Sequence, residues 1–288
     1  MIALSCGCKL NLGLRILSRL PTGYHELETL FYPLAWPADQ LLICQPAGNH
    51  AAREIVVCCD HPAINPEANL LVRAWRAFAA ATCACPGGLV ITLRKHIPVG
   101  AGLGGGSSDA ACLLAWLNNN SPRPLSPASL AALAASLGAD VPFFLYNRPC
   151  AASGIGDQLQ PVSFASQGCY LVIVYPGIAI ATHWAFAAWD AENSLTKARP
   201  AARKTCSKAL DFACPENDLE SPVFASFPEL AKIKAELLAL GAFSAGMSGS
   251  GSSIYGIFAA RPAACAAAVS LRRHWPAVYV QKMRDFGM

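Results

Sequence analysis

Between Cys8 and Ile16 the chain alternates residue by residue: Leu10, Leu12, Leu14 and Ile16 fall on one side, Lys9, Asn11 and Arg15 on the other. A period of two belongs to a strand with one apolar face, so this stretch predicts a strand whose polar face carries Lys9. The turn LPTG at Leu20–Gly23, followed by Leu27, Thr29 and Phe31, predicts the returning arm of a hairpin. Farther along the period lengthens. NLLVRAWRAFAAA (Asn69–Ala81) sets Leu70, Leu71, Ala74, Trp75 and Phe78 against Arg73 and Arg76, the spacing of an amphipathic helix. GLVITLRKHI predicts a strand and AACLLAWL a helix that stops at NNNSP. In SPASLAALAASLG, Ser126 predicts an N-cap, Pro127 the first helical position and Gly138 the stop.

Beyond about residue 150 the pattern changes. Strands are predicted around Tyr170–Val174 and Ile254–Phe258, with helical stretches such as PELAKIKAELLALG between and around them. This mixed order argues for α+β layers rather than a regular parallel sheet. Two lobes are expected, residues 1–150 and 151–288. From Gln158 to Trp189 the chain carries no Asp, Glu, Lys or Arg. Pro161, Gly168 and the Pro176-Gly177 pair cut it well short of the roughly 20 unbroken apolar residues of a membrane span. Buried strands around a turn are expected there, and no membrane association.

Composition narrows the picture. With 54% hydrophobic residues among 288, the chain has ample material for a core. The net charge of +4 is mild and contains no run of like charges, so a nucleic-acid partner is not expected. The start, MIALSCGCKLNL, has neither the basic and apolar regions of a signal peptide nor the character of a transit peptide. A cytoplasmic protein is expected, as monomer or weak dimer. The thirteen cysteines are odd in number and include no C-x-x-C pair. Cys6/Cys8, Cys58/Cys59 and Cys83/Cys85 are therefore read as small hydrophobes in apolar surroundings.

PVGAGLGGGSSDAA (Pro98–Ala111) cannot pack a core, yet it joins a predicted strand to a predicted helix. Such a junction turns backbone N–H groups toward an anion, and the helix N-terminus adds about half a positive charge. Glycine lets phosphate reach the backbone and permits positive φ. Ser107 and Ser108 can cap the helix, bond phosphate or hold a metal's water. No lysine follows the glycines, which excludes a Walker loop. Gly100, Gly102 and Gly105 satisfy G-x-G-x-x-G, but the acidic residue of a dinucleotide site is missing from Ser121–Leu133. H-R-D does not occur, so the D-F-G at Asp285–Gly287 has no catalytic loop to act with, which argues against a protein kinase. Asp140 lies just past a helix stop, and Pro142 is expected to hold Val141 extended. That places the carboxylate on a tight loop, either as a cap for what begins at Pro142 or as a reacting group.

The glycine run resembles the second motif of the GHMP kinase superfamily. CKLNLGLRI, GYHELETLF, LGADVPFF, YPGIAIAT and GMSGSGSSIYGIF match further segments of a family member in order, from Lys9 to Phe258. The resemblance implies a two-lobed α+β GHMP kinase fold, with a ribosomal-S5-domain-2-like N-terminal lobe and a ferredoxin-like C-terminal lobe. It implies an ATP-dependent small-molecule kinase of isoprenoid biosynthesis, using ATP with Mg2+ and a cytidyl-bearing alcohol as acceptor; no metal ligands are assigned. Lys9 and Asp140 fall on the family's catalytic pair, the Asp as base and the Lys as its charge partner. Asn69, Lys95, Pro98, Val99, Gly100, Ala101, Gly102, Leu103, Gly104, Gly105, Gly106, Ser107 and Ser108 fall on nucleotide-binding positions. Asn11, Tyr24, His25, Phe31, Thr182 and Phe186 fall on acceptor-binding positions, although Phe31 also reads as ordinary core. GMSGSGS is expected to support the phosphate region. Two departures stand out: Cys8 replaces the usual Ala, and Gly13 replaces a bulkier residue, which is expected to loosen its strand. A kinase for a sugar or a mevalonate-like alcohol, or a GHMP-fold protein that binds without catalysis, are the alternatives.

Overall fold

The computed structural model describes residues 1–45, 55–62, 64, 65, 67, 69–83, 88–194 and 215–287. Of the 46–66 segment, which has no counterpart in the resemblance, only 55–62, 64 and 65 are among them; Cys85 is outside them. In chain order the elements are β1 (Ile2–Arg19), β2 (His25–Cys44), β3 (Ile55–Cys59), α1 (Leu70–Thr82) and β4 (Leu89–Arg94). Then come α2 (Gly105–Asn119), α3 (Pro127–Leu137), α4 (Val141–Tyr146), β5 (Cys150–Ser153), β6 (Gln158–Pro161), β7 (Tyr170–Tyr175) and α5 (Thr182–Ser194). The chain closes with α6 (Glu220–Ser226), α7 (Pro228–Ala239), β8 (Ser244–Met247), β9 (Ile254–Phe258), α8 (Arg261–Leu271) and β10 (Ala277–Lys282).

Two compact units result. The first takes Met1–Cys8, Pro33–Ile97 and Gly104–Asn147; the second takes Lys9–Tyr32, Pro98–Leu103 and Arg148–Met288. In the first unit β3 runs parallel to β4, and β4 runs antiparallel to the far end of β2, with Leu41 opposite Leu93. Leu41, Ile43 and Val57 meet Leu71, Trp75 and Phe78 of α1 and Leu113 and Leu117 of α2 in one core. The helix starts follow their sequences. Asn69 caps α1 by accepting from Leu71 N–H, and Ser126 caps α3 by accepting from Ser129 N–H.

In the second unit an antiparallel sheet, β10-β7-β9-β8, is covered by helices. Val172, Val174, Ile254 and Phe258 pack with Leu230, Ile233 and Leu237 of α7 and with Leu14 and Ile16 of β1. The near end of β2 pairs with β5, Thr29 opposite Ala152.

Several expectations change. The face of β1 carrying Lys9 and Asn11 is not solvated: they are 5% and 3% exposed, as buried as Leu10 and Leu12 opposite them. Gly13 stands at φ 88, where an L side chain would be strained, and its carbonyl accepts the Thr29 hydroxyl at 2.6 Å. Glycine fits that backbone rather than loosening it. Helix α2 begins at Gly105, inside the glycine run, with Gly104 as a left-handed cap at φ 71, so Ser107 and Ser108 lie in its first turn and cap nothing. Val141 is helical, not extended, because Pro142 stands at the start of α4, where its missing N–H has no intrahelical partner to lose. The charge-free stretch holds β7 and then a helix, α5, after the Pro176-Gly177 turn. Its alanines favour helix over strand. Among the cysteines, Cys6 and Cys8 are buried as expected, but Cys58 and Cys83 are exposed. Among the described residues no helix is long and apolar enough to cross a membrane.

Candidate functional site

The loop Pro98–Leu103 is held by its carbonyls. Gly100 O accepts from Ile180 N at 3.0 Å and Ala101 O from Ser253 N at 3.1 Å. Gly102 O accepts from the Ser248 hydroxyl at 3.0 Å, and Leu103 O from Lys9 N at 3.0 Å. Four consecutive carbonyls thus bond inward, while no N–H from Val99 to Ser107 donates to a described residue. Gly100, Gly102 and Gly104 have φ values of 68, 75 and 71, which side chains other than glycine rarely adopt. A Cβ on Gly102 would also overlap the Ser248 carbonyl oxygen. The segment GMSGSGS therefore braces the loop, as expected of a second glycine turn. At the start of α2 the N–H groups of the first turn have no intrahelical acceptor, the ordinary condition of a helix N-terminus and one that suits an anion.

Lys9 is tied to this loop through the Leu103 carbonyl. Its ammonium donates to Asn11 Oδ1 and lies 4.6 Å from the centre of the Phe31 ring. Asn11 in turn donates to the Thr29 hydroxyl at 2.9 Å, and its N–H reaches the Ser248 hydroxyl at 3.1 Å. A lysine this buried, set over an aromatic face and bonded to an amide, is fixed in direction. Phe31 is 2% exposed. The ring is thus a floor under Lys9, and Tyr24, 63% exposed, is the ring open for stacking.

Around His25 a second group forms. Nε2 lies 2.8 Å from Asp190 Oδ1, the imidazole stacks on Phe186 at 4.9 Å and 18°, and the Trp189 edge approaches at 5.7 Å. Thr182 is exposed, with its hydroxyl 3.1 Å from that of Ser250. Asp140 belongs to the first unit. It precedes α4 but its side chain makes no capping hydrogen bond, so the structure gives no support to the reading of Asp140 as a cap.

Lys95 is the centre of a buried charge cluster in the first unit. Its ammonium bonds Asp39 Oδ2 and, at 3.0 Å, Asp109 Oδ2. Asp39 is fully buried, and its other oxygen accepts from His96 N at 2.6 Å and Ile97 N at 2.8 Å. Burial pulls the Lys95 ammonium down, but Asp109 and Asp39 outweigh it and hold the group above its ordinary value. Burial pushes the Asp109 carboxyl up to about 7, against the pull of Lys95 and helped by Asp39. The cluster clamps the exit of β4 to the start of α2, the two stems of the glycine run. Asp39 and Asp109 were missed by sequence reasoning; the signal was a carboxylate in each of two apolar settings, LAWPADQLLI and SSDAACLL. Asn69 already uses its side-chain oxygen as the α1 cap. Among the described residues no cluster of three or more His, Cys, Asp or Glu could hold a metal.

The chain matches the family model for the GHMP kinases N terminal domain over residues 69–148 and that for the GHMP kinases C terminal over residues 198–277. It is 44% identical to the 4-diphosphocytidyl-2-C-methyl-D-erythritol kinase of Solidesulfovibrio magneticus over 95% of this chain and 94% of that protein. The enzyme of the same name from Lawsonia intracellularis is 43% identical, with 88% of each chain covered. A crystal structure of a 4-(cytidine 5'-diphospho)-2C-methyl-D-erythritol kinase superposes with a TM-score of 0.80 at 34% identity, over 99% of this chain and all of the other. Homoserine kinase from Cytophaga hutchinsonii, at 16% identity and a TM-score of 0.70 over 98% of this chain and 95% of the other, shares the fold.

Proposed function

The chain belongs to the 4-diphosphocytidyl-2-C-methyl-D-erythritol kinases of the GHMP kinase family, and from that premise we propose that it transfers the γ-phosphoryl group of ATP to the 2-hydroxyl of 4-diphosphocytidyl-2-C-methyl-D-erythritol. The observation that carries this reading is the backbone bond joining Lys9 to the glycine loop at Leu103. It joins the strand that carries a buried, directionally fixed lysine to the segment best suited to phosphate.

In the proposed reaction the loop from Pro98 to Ser108 receives the phosphates. Phosphoryl transfer depends chiefly on positioning and charge stabilisation. The Asp140 carboxylate takes the proton of the acceptor hydroxyl, the freed oxygen bonds the γ-phosphorus, and the bond to the bridging oxygen breaks to release ADP. Lys9, aimed by Asn11 and Phe31, balances Asp140 and the developing charge. Lys95 acts by tying the exit of β4 to the start of α2 through Asp39 and Asp109. Mg2+ fits a site without a protein cage, since it is usually held by one or two protein groups together with substrate phosphates. Bound there it would neutralise phosphate charge, and the Ser107 and Ser108 hydroxyls would be the residues of the run able to hold it or its water.

The cytidyl end of the acceptor is assigned to Tyr24 and His25, with Phe186 behind the imidazole. A base can stack on the exposed Tyr24 ring while His25 bonds its edge. An aromatic pocket of this kind has no purpose for a small alcohol, which disfavours mevalonate or homoserine. The test is steady-state turnover with a panel of acceptors: the cytidyl compound, its uridyl analogue, mevalonate and homoserine. The cytidyl compound should exceed the others in kcat/KM by at least about a hundredfold, a difference of roughly 3 kcal/mol. Comparable rates with mevalonate or homoserine would overturn the reading.

A further inference from the structure

We propose that Asp190 is a specificity-determining positioning residue: it fixes His25 in the tautomer whose Nδ1 accepts a hydrogen bond, so that the site takes a base presenting an amino group and disfavours one presenting a carbonyl. This rests on the assignment of His25 to the base edge.

Asp190 Oδ1 lies 2.8 Å from His25 Nε2. A carboxylate oxygen only accepts, so Nε2 carries the proton, and a neutral imidazole with one nitrogen protonated offers a lone pair at the other. Among the described residues Nδ1 makes no hydrogen bond. The ring is held against rotation by its neighbours. Phe186, Trp189 and Asp190 stand at i, i+3 and i+4 on α5, one face of the helix. The first stacks on the imidazole, the second meets it edge-on, and the third takes its proton. His25 is 7% exposed in this clamp. Arg19 Nε lies 3.5 Å from the other oxygen of Asp190, leaving Oδ1 for the imidazole.

The chemistry follows from donor and acceptor counts. The amino group of a cytosine-type base donates to the Nδ1 lone pair. The carbonyl at the same position of a uracil-type base would set lone pair against lone pair. Without Asp190 the imidazole is free to move its proton to Nδ1, which would suit the carbonyl instead. A role for Asp190 confined to holding α5 against the hairpin would lower stability without changing the choice between bases.

The experiment compares wild type, Asp190→Asn and Asp190→Ala in kcat/KM for the cytidyl acceptor and its uridyl analogue, with KM for ATP as control. The ring tautomer is read from imidazole 15N shifts. The wild type should carry its proton on Nε2 and prefer the cytidyl acceptor. Asp190→Ala should lower that preference about tenfold, the worth of one hydrogen bond, through KM for the cytidyl acceptor, with KM for ATP unmoved. A preference that survives both substitutions, or a wild-type ring protonated on Nδ1, would overturn the proposal alone. A wild type indifferent between the two acceptors would overturn the cytidyl reading as well. The tautomer in the wild type and in the near-isosteric Asp190→Asn decides the matter if Asp190→Ala does not fold.

Discussion

Replacing Asp109 by Asn tests the buried cluster under the glycine run through the pH dependence of stability. Two carboxylates share one ammonium there, and Asp109 is raised from 3.8 to about 7, first by burial. The groups facing it are Lys95, Asp39, and the thiols of Cys6 and Cys112. In the unfolded chain the carboxyl loses its proton near the ordinary value, whereas in the folded chain it keeps the proton up to about pH 7. Between those limits the folded state binds more protons, so stability falls as pH rises. The loss is complete above the folded value. Each unit is worth about 1.4 kcal/mol, so the full penalty is roughly 4 kcal/mol, of which about 3 kcal/mol falls between pH 5 and 8. Asp109→Asn removes the titration and leaves Lys95 paired with Asp39. Urea unfolding followed by tryptophan fluorescence, for both proteins across that range, gives the comparison. The variant should gain on the wild type by about 3 kcal/mol from pH 5 to 8. A difference constant to within about 0.5 kcal/mol would mean that Asp109 is ionised throughout, and the account of the cluster would fall.

Three further outcomes are expected. Asp140→Asn should lower kcat by roughly 10²–10⁴ with little change in KM, and Lys9→Met should also slow turnover, the double variant being less than additive if the pair acts as one; near-normal turnover in Asp140→Asn would return that residue to a structural role. Gly102→Ala should raise the Kd for ATP, measured by calorimetry, at least about tenfold, because a side chain there meets the Ser248 carbonyl at φ 75; Gly106→Ala, where an added Cβ meets nothing within 4 Å, should fold with at least wild-type stability. Tyr24→Ala should raise KM for the cytidyl acceptor by about tenfold or more, the worth of a lost base stack, and leave KM for ATP unchanged; an equal effect on both would assign Tyr24 to the fold.

The elements legible in the sequence were those with a clean period or a strong cap. Ser126, Pro127 and Gly138 bound α3 where expected, and β9 runs over the residues whose apolar run announced it. Alternation placed Lys9 and Asn11 on the polar face of β1 but left their burial open, because a period of two cannot tell water from a second protein layer; both are buried. The start of α2 was misplaced because glycine, poor in mid-helix, is tolerated in a first turn whose N–H groups are unpaired anyway. Helix α5 was hidden by an apolar composition that fits strand and helix alike. The glycine loop and Lys9 stood out through motif and spacing. Asp39, Asp109 and Asp190 did not, since each matters through a partner in another element: Lys95 is 56 residues from Asp39 and 14 from Asp109, and His25 is 165 from Asp190.

The central claim is the identity of the phosphorylated atom, and phosphorus NMR of the reaction mixture tests it most directly. Purified protein, ATP, Mg2+ and 4-diphosphocytidyl-2-C-methyl-D-erythritol should yield ADP and one new phosphate monoester, located on the C2 oxygen by proton–phosphorus and carbon–phosphorus couplings, with the cytidyl diphosphate intact. An acceptor left unchanged, or a phosphate found at another hydroxyl, would contradict the account.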